Sequence, residues 1–212
     1  MTDTTDQLIA RLSADATPVK RLRHPLLRAA AWLAAVGLVS CIVIYMFANI
    51  PVFMDRAHET RQMIELIATL STGLLAVVAA FEMSLPDRSR VWALLPLPAL
   101  AVWLATTGLG CLHGWIAGTP TDLAESMECF MILTGASTPL GIALSWMLLR
   151  ARPLAPAPVA AMGGLGVAAI AAFLLQFFHP FDVTAIDLAI HAVAIGLVIA
   201  VSAVSGRKLA AA

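Results

Sequence analysis

The sequence predicts an all-α integral membrane protein with six transmembrane helices, both termini in the cytoplasm, and a short cytoplasmic amphipathic helix before the first crossing. Composition indicates the class, because 60% of the 212 residues are hydrophobic and 12% are charged, whereas an ordinary soluble domain is about 25% charged. Apolar runs indicate the helices, since one helical crossing needs about 20 apolar residues. Six such runs occur, at roughly Ala29–Ile50, Met63–Met83, Val91–Gly110, Met127–Leu149, Val159–Phe178 and Ile186–Ser205.

The placement of basic residues predicts the orientation. Eleven of the 13 Lys and Arg residues fall on one side of the predicted bundle, and Arg56 and Arg61 fall on the other. The eleven are Arg11, Lys20, Arg21, Arg23, Arg28, Arg88, Arg90, Arg150, Arg152, Arg207 and Lys208. Because basic residues accumulate in cytoplasmic loops, both termini are expected in the cytoplasm. The predicted domains are an N-terminal segment of residues 1–25, a transmembrane bundle of residues 26–206 and a cytoplasmic tail of residues 207–212.

The interior of the predicted helices disfavours transport and catalysis. The centres of the six runs carry no ionisable residue, although such groups mark the pathways of pumps and transporters. Glu65 and Glu82 lie near opposite ends of the second run, and we expect both to be solvated helix ends. No Gly-rich phosphate loop, HExxH or Ser/His/Asp pattern is present, so we predict that the protein is not an enzyme. Small residues in the fifth run, "AMGGLGVAAIAA", favour close packing against a neighbouring helix.

Thiol, imidazole and carboxylate groups collect at the outer ends of the predicted helices. They are Cys111 at the end of the third helix, His113 after it, Glu125 and Cys129 on the fourth, His179 at the end of the fifth, and Asp182, Asp187 and His191 around the start of the sixth. Such a group is suited to a soft or borderline metal ion. The candidate metal ligands are Cys129, His179, Glu125, Asp182 and His191.

Other interpretations of these outer residues remain open. One alternative to metal binding is a disulfide between Cys111 and Cys129, because two thiols at similar depth can be oxidised together in an oxidising compartment. Acids in the first turns of a helix favour its dipole regardless of function. A single cysteine in a helix is commonly a small core residue, and histidines near the membrane surface also hydrogen-bond to headgroups or water.

The N-terminal segment has the pattern of a helix that binds a partner. Residues 3–16, "DTTDQLIARLSADA", predict a helix with Leu8, Ile9 and Leu12 on one stripe and with termination before Pro18. A helix of this length is unstable alone in water, so it lies on the membrane, packs under the bundle, docks loosely or folds on a partner. It carries more acid than base, which disfavours anionic lipid and favours an apolar groove flanked by basic residues. The candidate partner-binding residues are Asp6, Leu8, Ile9, Leu12, Asp15 and Pro18.

Four blocks of the sequence carry a family resemblance over nearly the whole chain. "LIARLSADATPVKRLRHP", "LPDRSRVWALLPLPALAVWLATTGLGC", "ECFMILTGASTPLGIAL" and "HPFDVTAIDLAIHA" resemble the NrsF family, negative regulators of sigma factor F. The resemblance implies a six-helix anti-sigma factor of the bacterial inner membrane. It further implies that the N-terminus holds an extracytoplasmic-function sigma factor, and that outer-face cysteines answer heavy-metal or oxidative stress.

The resemblance also assigns signal-sensing residues. Cys129 matches one expected cysteine, but His179 stands just before Pro180, where the family pattern implies a second one. This difference argues against a disulfide between these two positions and leaves metal binding open, because imidazole and thiolate ligate the same ions. The predicted signal-sensing residues are therefore Cys129, Cys111 and His179.

These observations predict a membrane-bound anti-sigma factor whose partners are the sigma factor and the lipid bilayer, with no direct contact to nucleic acid. No cofactor is expected apart from a regulatory metal ion. The rival interpretation is a small-molecule, metal, haem or quinone-binding membrane protein that uses His113, His179 and His191. The lack of charged residues at the centres of the helices counts against the rival.

Overall fold

The computed structural model describes residues 4–14, 22–117, 123–178 and 185–211. Within these ranges the regular structure is helical throughout, as the sequence predicts. The α-helices are α1 Thr5–Ala14, α2 Pro25–Phe47, α3 Ile50–Ala57, α4 Thr60–Met83, α5 Leu97–Ala117, α6 Leu123–Leu149, α7 Pro156–Leu175 and α8 Ala185–Ala211. A short 3-10 helix, Arg90–Leu94, precedes α5.

Six of the described helical stretches are long and apolar enough to cross a membrane. They are Pro25–Phe47, Thr60–Met83, Arg90–Ile116, Phe130–Leu149, Pro156–Leu175 and Leu188–Lys208. The predicted number of long apolar helices is thus confirmed. Their insertion into a bilayer, the side on which the termini lie and the division into three domains stay predictions.

Helices α4 and α7 form the centre of the bundle, where small residues let the two backbones approach closely. A Cβ atom on Gly166 would lie 2.8 Å from Cγ2 of Val77, and one on Gly73 would lie 2.8 Å from Cγ1 of Ile170. Neither glycine can therefore carry a side chain without displacing its neighbour helix. The close packing predicted for the fifth apolar run is confirmed, and α4 is one of its close neighbours.

Contacts between the helices define two ends of the bundle. Glu65 near the start of α4 contacts Thr107 near the end of α5, and Arg28 at the start of α2 contacts Met147 at the end of α6. Helices α4 and α5 are therefore antiparallel, and so are α2 and α6. We call the end where α2 begins and α4 ends the α1 side, and the end where α2 ends and α4 begins the far side.

Several helix boundaries differ from the prediction. The helix predicted for residues 3–16 is described as Thr5–Ala14. The first long helix stops at Phe47, and the chain then forms the short helix α3, which the sequence analysis missed. Helix α5 continues to Ala117, and α8 continues to Ala211, through most of the predicted tail. In α5 and α8 helical geometry continues beyond the apolar run, because backbone hydrogen bonding does not depend on hydropathy.

Candidate functional site

Helix α1 leaves its predicted apolar stripe uncovered. None of the residues of α1 is buried, and the exposed fractions of Leu8, Ile9 and Leu12 are 49%, 55% and 65%. Asp6 lies in the first turn of the helix. The other two candidate partner-binding residues, Asp15 and Pro18, lie outside the described residues. The described part of the helix has the geometry that a docking helix needs, and its partner binding stays a prediction.

Cys111 and His113 lie inside α5, which corrects their predicted position at and after its end. Helix α5 runs to Ala117, so both residues occupy its last turns on the far side. Cys111 is a half-buried free thiol, and His113 is exposed. His191 lies in the second turn of α8 and is half-buried. The structure thus places these three residues toward the same end of the bundle.

The remaining predicted sensing and metal-binding residues are only partly described. Glu125 and Cys129 belong to the first two turns of α6, where the structure describes their backbone alone. His179 and Asp182 lie outside the described residues. Among the side chains that are described, no three His, Cys, Asp or Glu residues form a group that could hold a metal ion. The metal set and the Cys111–Cys129 disulfide both stay predictions.

Glu65 is a buried member of a polar cluster on the far side, so the prediction of a solvated helix end is wrong. Only 7% of Glu65 is exposed. Its carboxylate accepts hydrogen bonds from Thr107 Oγ1 at 2.9 Å and from Arg61 Nη1 at 3.4 Å. The Arg61 guanidinium lies against Gly110, where a side chain would displace it. Hydrogen bonds and an opposite charge offset the cost of burying the carboxylate. The four-residue spacing of Arg61 and Glu65 was the sequence signal for this pair.

Glu82 contradicts the prediction of a solvated end in the same way on the α1 side. It is 1% exposed, and its Oε2 atom lies 3.2 Å from Nε of Arg88 in the turn that follows α4. That oxygen has no aligned hydrogen bond, so the contact is an ion pair rather than a directed bond. The sequence signal was weak, because Arg88 follows at a spacing that no helical rule pairs with Glu82.

Arg28 is buried inside the bundle, although the sequence analysis counted it among the loop charges. Its Nη2 atom donates a hydrogen bond to the backbone carbonyl of Met147 on α6. Its guanidinium carbon lies 5.0 Å from the centre of the Phe81 ring on α4, within the range of a cation–π contact. Its Nη1 atom and the nearby Trp32 Nε1 are buried without hydrogen-bond partners in the described structure. Arg28 therefore ties the first turns of α2 to two other helices.

An aromatic contact joins α3 to the end of α7. The rings of Phe53 and Phe177 stack with centroids 4.4 Å apart and an interplanar angle of 20°. Phe173 meets the edge of the same Phe177 ring at 5.3 Å. Offset stacking and edge contacts of this kind stabilise aromatic pairs beyond their buried area. Phe177 precedes His179 by two residues, which places this cluster next to a predicted sensing residue along the chain.

A family model matches this chain from within α1 to the end of α8. The family model of NrsF, described as negative regulator of sigma F, matches residues 12–211. This chain belongs to the NrsF family. The family description makes NrsF a negative regulator of a sigma factor, so its partner is a sigma factor and its role is regulatory. Comparisons with curated proteins and with solved structures gave no match.

The family match covers only part of the candidate site of this NrsF chain. It begins at Leu12 in α1 and includes every longer helix. Asp6, Leu8 and Ile9 precede the matched region, whereas Cys111, Cys129 and His179 lie within it. The far-side residues therefore belong to the region that defines the family, and the first two turns of α1 lie outside it.

Proposed function

We propose that this chain is a membrane-embedded anti-sigma factor of the bacterial inner membrane. Its N-terminal segment, residues 1–25, holds an extracytoplasmic-function sigma factor at the cytoplasmic face and thereby keeps it from RNA polymerase. The observation that carries this proposal is the uncovered stripe of Leu8, Ile9 and Leu12 on α1. The family match supplies the class of the partner.

The size of α1 supports docking on a partner. A helix of 10 residues is shorter than the roughly 12 to 15 residues at which isolated helices become marginally stable in water. Burying three large apolar side chains contributes about 1.5 to 3 kcal/mol each, which offsets the entropy lost on ordering the helix. A groove that accepts the stripe, with basic residues facing Asp6 and Asp15, fits both the apolar and the acidic parts of this segment.

The proposed orientation follows from the basic residues. Arg90, Arg152, Arg207 and Lys208 are exposed on the α1 side, where they face the cytoplasm under the positive-inside rule. The far side then faces outward, and the six long helices cross the bilayer between the two. This arrangement puts α1 where a soluble transcription factor is present.

Release responds to heavy-metal or oxidative stress on the far side. Cys129 is the central residue of this part of the proposal, because a thiolate binds soft cations and is also oxidisable. With His179 in place of a second cysteine at that position, metal coordination is favoured over a disulfide between the two. Glu125, Asp182 and His191 complete the proposed ligand set, and Cys111 is the proposed partner if a disulfide forms instead.

Purification from native membranes tests the proposed partner. The tagged full-length chain should retain a sigma factor in near-equal amounts, identified by mass spectrometry. A variant that lacks residues 1–18 should reach the membrane in the same quantity without it. Absence of any sigma factor from the full-length preparation, or its retention by the shortened chain, would overturn the proposal.

A further inference from the structure

Helix α2 packs on the bundle through one half of its length. Its buried residues form a single stripe on the α1 side, made of Pro25, Arg28, Ala29, Trp32 and Val36. All of residues 37–47 are described, and none of them is buried. Tyr45 is 90% exposed near the end of the helix. The far half of α2 lies outside the protein core around α4 and α7.

The far end of α2 is nevertheless connected to α7 through α3. Two residues, Ala48 and Asn49, separate α2 from α3, so α2 and α3 form one connected unit at this end. Phe53 on α3 stacks on Phe177 immediately after α7. His179 follows Phe177 by two residues and lies outside the described residues, so an effect of its bonding on this stack is part of the proposal below.

The other end of α2 has a contact that is not fully satisfied. Arg28 donates to the Met147 carbonyl, but its Nη1 atom and Trp32 Nε1 are buried without hydrogen-bond partners in the described structure. Leaving a buried donor unpaired costs free energy, so this arrangement competes with others in which α2 is shifted or rotated. This cost lowers the relative free energy of any arrangement of α2 that would pair these atoms, and such an arrangement is what a coupling element requires.

We propose that α2 and α3 act as a lever that couples the far side to the N-terminal segment. The lever pivots on the buried stripe between Pro25 and Val36, with its long arm held by the Phe53–Phe177 stack and its short arm leading to Leu22 and α1. Bonding changes beside Phe177 are proposed to tilt the long arm, and the short arm is proposed to displace the sigma-binding segment. This inference rests on the proposed function, because it supplies the regulation of that segment.

Distances between spin labels measure the coupling directly. Labels are attached to Leu22→Cys and Lys208→Cys in the full-length chain, in a background with Cys41→Ser, Cys111→Ser and Cys129→Ser, reconstituted into lipid nanodiscs. Both labelled positions are exposed on the α1 side. Phe53→Ala removes the stack at the opposite end, and we expect it to shift the mean distance by about 2 Å or more, the size of helix shifts in switching proteins.

Phe173→Ala is the matched control. It removes a ring that touches the edge of Phe177 but leaves the Phe53–Phe177 stack in place, so the label distance should not change. Phe53→Leu, which keeps an apolar side chain without a ring, serves if the alanine variant does not fold. An unchanged distance in a folded Phe53 variant, or an equal shift in Phe173→Ala, would overturn the lever.

The measurement contains no sigma factor and so separates the two proposals. If the wild-type chain binds no sigma factor while Phe53→Ala moves the labels, the lever stands as a mechanical property and the proposed function fails. If the sigma factor binds through α1 while the labels stay in place, the proposed function stands and the lever fails.

Discussion

Thr107 Oγ1 donates a 2.9 Å hydrogen bond to Glu65 Oε1, joining α5 to α4 inside the far half of the bundle. Arg61 supplies the opposite charge at 3.4 Å, so the buried carboxylate has partners on its own helix and on the neighbouring helix. Cys111 lies one helical turn beyond Thr107 on α5. The bond therefore fixes the α5 backbone close to a predicted sensing thiol.

Thr107→Val removes the interhelical donor while keeping the side-chain shape. We expect a loss of about 1 to 3 kcal/mol in the free energy of unfolding, because a buried carboxylate oxygen loses its hydrogen bond. Thr106→Val is the matched control, since the Thr106 hydroxyl donates only to carbonyls of its own helix. Equilibrium unfolding of the purified protein in detergent measures both variants. Equal losses in the two would show that the Glu65 contact adds no stability.

Gly166→Ala tests the close packing of α4 and α7. The new Cβ would meet Val77 Cγ2 at 2.8 Å and the backbone nitrogen of Val77 at 3.1 Å, so the two helices must separate. We expect a loss of about 1 to 3 kcal/mol, the usual cost of overpacking. Gly196→Ala on α8 has no atom within 4 Å of its new Cβ and should be neutral or slightly stabilising. Unfolding midpoints that fall equally in both variants would contradict this packing.

The sequence predicts the helices well because apolar length is a local property. Each long apolar run corresponds to one long helix, and the small residues of α7 already indicate a close neighbour. Helix α3 escapes prediction because its eight residues, "IPVFMDRA", are too short and too mixed to stand out from a loop. The stack of Phe53 on Phe177 joins residues far apart in the chain, which no local pattern indicates.

The sequence predicts some residues of the candidate site correctly and others incorrectly. Leu8, Ile9 and Leu12 are predictable because their spacing is helical and nothing nearby in sequence covers them. Glu65 and Arg28 are misjudged because charge alone suggests solvent, whereas burial depends on partners from other helices. The Thr107 hydroxyl and the Met147 carbonyl are those partners, and neither has a distinctive signature in a single sequence.

The orientation of the chain is open to a direct test. An enzyme that is active only in the periplasm, fused after Ala212, should give no activity if the C-terminus is cytoplasmic as the basic residues predict. The same enzyme inserted after His58, in the connection between α3 and α4, should be active and serves as the control. Activity from the fusion at Ala212 would invert the topology and remove the basis for placing α1 in the cytoplasm.

Cys129→Ser tests the far-side signal. We expect the cadmium concentration needed to release the sigma factor to rise about ten-fold or more, as is usual when a metal site is impaired, and His179→Ala should have a similar effect. Cys41→Ser is the control, because Cys41 is an exposed free thiol in α2. Loss of response in Cys111→Ser, with His179→Ala unaffected, would favour the disulfide. A normal response in the Cys111→Ser, Cys129→Ser double variant would exclude both thiols as sensors.

The central claim is that the stripe on α1 holds the sigma factor, and a pair of double variants tests it most directly. Leu8→Asp with Leu12→Asp puts two charges on the stripe, and Ala10→Asp with Ala14→Asp puts two on the opposite face of the same exposed helix, at 100° per residue. We expect the first pair to cost about 4 kcal/mol of binding, roughly a thousand-fold in Kd.

Both double variants carry equal added charge, so the comparison isolates the face of the helix. The measurement is the amount of sigma factor that co-purifies with each tagged full-length chain from membranes that contain equal amounts of it. The account predicts that Leu8→Asp with Leu12→Asp loses the sigma factor while Ala10→Asp with Ala14→Asp keeps it. Retention of the sigma factor by the Leu8→Asp, Leu12→Asp chain at the wild-type level would contradict the account.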